Sequence, residues 1–314
     1  MLSSGKIFGK MDNEDILKNI EEKYKNLNQD PNMYLKGLYH SKPVNYWEYI
    51  EVETLLSLQK PKTDFPDESI FIMYHQVTEL LLKLITHEIK QVIDNPEIST
   101  TVFKDKMERV NRYAGVLTAS FSVMREGMDY EQYNQFRLSL APASGFQSAQ
   151  FRFLEIYCTN LHLLTNTRVK EKMESETDTD TLFDQLYWKD AGVDPKTGRK
   201  SLMLQQFEDK YIDALKMAAT KYKGKTILNR FLALDQNDAD VQELKHALRE
   251  FDHTYNVIWP LAHIKTAAYY LNSKGENKAA TGGSEWQKYL HPSYQKRIFF
   301  PQLWTAEEKE NWGK

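Results

Sequence analysis

Four ionisable residues recur at every fourth position in the stretch FIMYHQVTELLLKLITHEIKQV, residues 71–92: His75, Glu79, Lys83 and His87. That spacing puts them on one face of a helix, and the rest of the helix is apolar almost all the way round. A helix without a wet face is normally buried. The stripe is therefore expected to point inward, where ionisable groups are costly unless they have partners or a task. Two readings follow: a catalytic face, or a satisfied internal hydrogen-bond network.

Three other segments have side chains suited to complete a site. His263 lies in the apolar segment LAHIKTAAYYL, just after Trp259-Pro260. A proline in a helix frees a carbonyl and kinks the axis, and a neutral imidazole in apolar surroundings suits haem iron. The alternative is a core histidine bonded to a carbonyl. Tyr133 and Arg137 are four apart and share a helix face. An arginine at such a corner can grip a carboxylate through two parallel bonds, or else form an ordinary surface ion pair. Thr281-Gly282-Gly283-Ser284 lets backbone amides approach a ligand closely, or is simply a turn. His246 and His253 fall off the apolar stripe of their helix and are expected to face solvent.

Several chemistries are excluded. No HExxH or paired ExxH spacing is present for zinc or di-iron, and the TGGS loop lacks the P-loop lysine. Cys158, the single cysteine, sits among bulky helical residues, a poor setting for a nucleophile. Serine-hydrolase signatures are missing.

The elements that must position these residues are helical. Residues 12–27 and 45–60 carry helical periods, and Asp67 or Ser69 is expected to cap the helix of His75. Helices are expected over 99–127 and 129–140. Ser144 and Gln147 form a capping box that should start the next helix, FQSAQFRFLEIYCTNLHLL. Residues 166–200 are polar and read as an exposed excursion around a short helix, FDQLYW. Val241, Leu244, Leu248, Phe251, Tyr255 and Ile258 trace one stripe leading to Trp259-Pro260. No strand alternation, repeat or Pro/Gly-rich linker interrupts the 314 residues. The expected fold is all-α, a single large helical domain over 1–314.

The balance of 41 basic against 44 acidic residues, a net charge of −3, gives no electrostatic case for nucleic acid or an anionic membrane. A single cysteine, no apolar signal core and no spanning segment point to the cytoplasm. The 18 Tyr, 15 Phe and 6 Trp suit a large helical core and a flat aromatic ligand equally well.

Together the stretches YWEYIEVETLLSLQ, FIMYHQVTELLLKLITHE, YNQFRLSLAPASGFQSAQFRFLE, the Trp259-to-His263 spacing and ATGGSEWQKYL resemble the tryptophan 2,3-dioxygenase family, in the family's order over residues 46–290. The resemblance implies a helical haem b enzyme, ferrous when active and usually a homotetramer. Such an enzyme inserts both atoms of O2 into the indole C2–C3 bond of L-tryptophan. The product is N-formyl-L-kynurenine, which opens the kynurenine pathway of tryptophan degradation. It further implies His263 as axial iron ligand and His75 as the distal histidine facing the indole N–H. Phe71 would pack on the indole, Arg137 would clamp the carboxylate with Tyr133 on the same face, and Thr281 would contact the substrate's ammonium and carboxylate. Ser144 and Gly145 would pass close to the haem. Tyr46, Tyr49 and Ile50, in an N-terminal segment (1–60) exchanged between subunits, would complete a neighbour's pocket. Ala280 and Glu285-Trp286 depart from the family's GTGGS and Ser-Gly, implying a divergent branch. The alternatives are a related haem enzyme oxidising a substituted tryptophan or another aromatic amino acid, and a non-catalytic haem sensor.

Overall fold

The computed structural model describes residues 12–140, 147–194, 197–271 and 290–314. It divides into two compact units, 1–58 and 59–314. Among the described residues there is no strand, only two isolated antiparallel bridges, Thr165–Leu186 and Val193–Lys200. The all-α expectation holds.

The first unit contains α1 (Asn13–Asn26), α2 (Pro31–His40), α3 (Tyr46–Tyr49) and α4 (Val52–Leu56). Side chains of Asp12, Asp30 and Asn45 cap the first three helices, each accepting a backbone N–H that the first turn leaves unpaired. Tyr24 stacks on Tyr34 at 4.0 Å. Apolar side chains of this unit, Tyr46, Trp47 and Tyr49 among them, are exposed.

The second unit is built round α5 (Asp67–Ile93) and α6 (Thr100–Ala119), followed by α7 (Phe121–Glu126) and α8 (Tyr130–Phe136). The helix expected over 99–127 breaks at Ser120, whose hydroxyl bonds back to the Leu117 carbonyl. Next come α9 (Ala149–Cys158), α10 (Thr179–Asp184), α11 (Leu202–Tyr222) and α12 (Ile227–Leu232). The chain ends in α13 (Val241–His253), α14 (Trp259–Leu271), α15 (Pro292–Gln295) and α16 (Ala306–Glu310). Leu82, Ile85 and Ile89 of α5 meet Phe103, Met107 and Val110 of α6 in a core that reaches Phe251, Tyr255 and Phe299.

Of the expected 144–147 box, 144–146 lie outside the described residues; helix α9 starts at Ala149, with Ser148 accepting the Phe151 N–H. It ends at Cys158, where Thr159 turns extended and its hydroxyl donates to the Phe299 carbonyl. The segment 166–200 is an exposed excursion only in part: no residue of 167–181 is buried and 197–200 are exposed, but the stretch between them packs inward. Leu182, Phe183, Leu186, Tyr187, Trp188 and Lys189 are buried within it. Tyr187 and Arg152 meet the buried Glu155, which also pairs with Arg297 at 2.8 Å.

The C-terminal segment is fastened to α13 by one carboxylate. Buried Asp252 accepts the N–H groups of Phe299 at 2.9 Å and Phe300 at 3.0 Å, the Trp304 indole N–H at 2.9 Å and the Asn256 amide at 2.7 Å. Asp252→Ala would leave two buried backbone donors and the part-buried Trp304 indole without that acceptor, a cost of about 3 kcal/mol or more. Denaturant unfolding should show that loss; a change below about 1 kcal/mol, the range of a surface substitution, would mean the tail is held by packing alone.

Candidate active site

The site begins where α5 and α8 are pinned at their N-termini. Asp67 accepts the Asp129 N–H at 2.5 Å, and Gln132 accepts the Asp67 N–H at 3.3 Å. Asp67 opens the helix without capping it; the preceding position is Pro66. Buried Glu68 takes the N–H groups of Lys62 and Thr63, both at 2.8 Å, and the Thr63 hydroxyl at 2.6 Å, which fixes the entry loop. Four residues and one turn further on, the ring centroids of Phe71 and His75 are 4.2 Å apart. Phe71 also faces Tyr133 at 6.1 Å and Phe136 at 5.8 Å.

The protonation of His75 follows from its partner. Nδ1 lies 2.7 Å from the Phe71 carbonyl, which can only accept. Nδ1 therefore carries the proton, and Nε2 keeps a lone pair able to receive an N–H from a ligand. Burial lowers the His75 pKa, against smaller opposing effects of that hydrogen bond and Glu79.

Only the first half of the polar stripe behaves as expected. Glu79 accepts the Gln150 amide at 2.8 Å and so ties α5 to α9, whereas Lys83 and His87 are exposed. The helix reads as apolar all round because Met73, Val77, Leu80 and Leu84 form a second, exposed apolar row.

The second histidine of interest, His263, is on α14. The stripe of α13 buries Val241, Leu244, Leu248, Phe251 and Tyr255, but Ile258 is exposed. A π-helical turn, Thr254–Ile258, explains the change. Pro260 has no N–H for the carbonyl one turn back, and the wider turn absorbs the break while rotating the register. His246 and His253 are exposed.

The His263 ring stacks on Phe121 at 5.5 Å and 19°. Phe121 faces Tyr74 at 5.8 Å, and Tyr74 meets His75 at 5.2 Å. A run of rings thus links the two histidines, and His75 is near enough to bias the titration of His263. Desolvation first, and His75 second, push the His263 pKa down to about 4. Unfolded, this imidazole would titrate near 6.5, so between those values the unfolded chain holds more protons and acid favours unfolding. The penalty is absent above the unfolded value and grows to at most about 3 kcal/mol near pH 4. His263→Leu should therefore lose stability less steeply than wild type as pH falls from about 6.5 to 4, with both proteins measured free of any bound group. Parallel curves would show that His263 titrates normally.

A lone neutral imidazole stacked on Phe121 has the chemistry to offer one nitrogen to an iron macrocycle. Among the described residues no group of three or more His, Cys, Asp or Glu could hold a bare ion. The Trp259 indole N–H is buried with no hydrogen-bond partner among the described residues, so a bound polar group could satisfy it. Cys158 is buried, and burial raises its thiol well above the ordinary range, which removes it as a nucleophile.

Arg137 follows α8 on a short 3-10 turn and is buried. Its backbone N–H caps the helix on the Tyr133 carbonyl. Burial raises the Tyr133 phenol pKa, with Arg137 opposing. Phe71, His75, Tyr133 and Arg137 thus lie on α5 and α8 and the turn after it, and His263 reaches His75 through Phe121 and Tyr74. Ser144, Gly145 and Thr281 lie outside the described residues. Tyr46, Tyr49 and Ile50 belong to the first unit, where all three are exposed. Phe121, Tyr74 and Tyr270 escaped the sequence reading. Tyr270 could have been found from its place two turns after His263.

A profile of the family described as tryptophan 2,3-dioxygenase matches residues 37–185. A tryptophan 2,3-dioxygenase of Bacillus thuringiensis subsp. konkukian (strain 97-27) is 27% identical, covering 85% of this chain and 92% of its own. One from Ruegeria sp. (strain TM1040) is 27% identical over 83% of this chain and 91% of its own. Another from Caulobacter vibrioides is 28% identical over 85% and 98%.

Proposed function

We propose that the chain is a divergent member of the tryptophan 2,3-dioxygenase family, to which it is similar over most of its length, and that it cleaves the indole C2–C3 bond of L-tryptophan with O2, giving N-formyl-L-kynurenine. The observation that carries this reading is the pairing of a hydrogen-bond-accepting His75 with a buried Arg137 across Phe71 and Tyr133. An indole N–H and an amino-acid carboxylate are the two polar ends such a site would recognise.

Haem b, held through His263, would supply the activation of O2. The chain's own residues bind and orient. His75 Nε2 accepts the indole N–H, and Phe71 and Tyr133 enclose the ring in a water-poor space. Arg137 takes the carboxylate in a bidentate, charge-assisted pair. Thr281 would contact the ammonium and carboxylate, and Ser144 and Gly145 would line the haem edge. Because Nδ1 of His75 is committed to the Phe71 carbonyl, the ring orients the substrate without needing to act as a strong base.

The protein is taken to work in the cytoplasm as a homotetramer; no helix among the described residues is long and apolar enough to cross a membrane. The exposed Tyr46, Tyr49 and Ile50 would enter a neighbouring subunit's pocket, making residues 1–58 an exchanged arm on one catalytic body. Exposed apolar patches of this kind usually mark interfaces. A chain starting at Lys62 should lose oligomerisation and activity together; a fully active monomer would exclude the exchange.

The function is tested by adding L-tryptophan and then O2 to the anaerobically reduced haem protein. A product heavier by two oxygen atoms is expected. A product heavier by one would favour a hydroxylase, and turnover only of ring-substituted tryptophan would narrow the substrate.

A further inference from the structure

We propose that Tyr270 is a positioning residue that braces the substrate pocket from the proximal helix, by holding Tyr133 in place. The proposal rests on the reading of Tyr133 and Arg137 as substrate-recognising residues. Tyr270 follows His263 by seven residues, two turns along α14 and therefore on nearly the same face. It is only 1% exposed.

Its hydroxyl donates to the Met124 carbonyl and lies 3.3 Å from that of Met128, so its tip is anchored where α7 leads toward α8. Its ring packs on Tyr133 with centroids 4.2 Å apart at 44°. The backbone adds a second tie, because Asn134 donates its amide to the Tyr130 carbonyl at 3.0 Å and the Tyr270 carbonyl at 3.4 Å. Arg137 in turn caps α8 on the Tyr133 carbonyl.

A phenylalanine could fill nearly the same volume without burying a hydroxyl. What the phenol adds is a fixed ring: held at its tip and its backbone, it cannot swing away from Tyr133. Tyr270 thereby joins the helix of the axial ligand to the helix that ends in Arg137, without itself meeting the substrate.

The test is a double-mutant cycle on the haem-loaded protein, reading L-tryptophan affinity by calorimetry beside KM and kcat. Tyr270→Leu should raise Kd and KM about 10-fold with kcat within about 3-fold, and Tyr270→Phe, which keeps the ring, about 3-fold, effects typical of contacting pairs. In a Tyr133→Leu background either change should add less than about 2-fold, because the residue it acts through is gone. If Tyr270→Leu does not fold, Tyr270→Phe completes the same cycle. Full effects persisting without Tyr133, or unchanged Kd and KM in the folded Tyr270 variants, would overturn the proposal. A wild type that neither binds nor converts tryptophan would overturn the functional reading and this proposal with it; a normal wild type with additive variants would overturn this proposal alone.

Discussion

Replacing His263 with alanine is expected to strip the protein of haem and abolish its dioxygenase activity. His246→Ala should change neither. The asymmetry follows from where the two imidazoles stand. His263 is held neutral at physiological pH, with its pKa down at about 4, and stacks on Phe121 in the apolar end of the site. A neutral imidazole offers iron a lone pair without first losing a proton. His246 lies exposed on α13 and has no cavity to serve. Soret absorbance per polypeptide is the direct reading. Retention of the wild-type spectrum by both variants would place the axial ligand elsewhere.

Arg137→Leu should reduce kcat/KM for L-tryptophan by about 30-fold or more while leaving haem content near normal. Removing one partner of a desolvated charge pair commonly costs about 2 to 5 kcal/mol, because the other charge is left buried and unpaired, and the fold-loss is the lower end of that range converted to a rate ratio. His263, the proposed iron ligand, is on α14, whereas Arg137 follows α8, so cofactor binding should not follow the loss. Tryptamine, which lacks the carboxylate, should be a poor substrate for the wild type and lose little further in the variant. Equal losses for tryptophan and tryptamine would mean that Arg137 supports the fold.

How far these residues could be read from the sequence depended on which physical signal each one left. His263 stood out as an imidazole in an almost wholly apolar, proline-led segment, a setting that a carbonyl-bonded core histidine would share. The turn that aims it was not: Thr254–Ile258 has the composition of an ordinary helix, and only the exit of Ile258 to the surface reveals the extra residue. His75 and Glu79 lie inside as the stripe implied, but Lys83 and His87 do not. Periodicity marks an apolar face without saying whether anything covers it, and the exposed row from Met73 to Leu84 made the helix read as buried on all sides. Ser148 starts α9 through its bond to the Phe151 N–H, and nothing in its residue type set it apart from Ser144 in the sequence. The polar majority of 166–200 hid Phe183 and Trp188, because composition averages over a segment while burial is decided one side chain at a time.

The most direct test of the account is isotopic. The reduced, haem-loaded protein is mixed anaerobically with L-tryptophan and then exposed to 18O2 in ordinary water. The account predicts N-formyl-L-kynurenine carrying two heavy oxygen atoms, both taken from the same gas. A product with one heavy oxygen, or a tryptophan left whole while the haem merely binds O2, would contradict it.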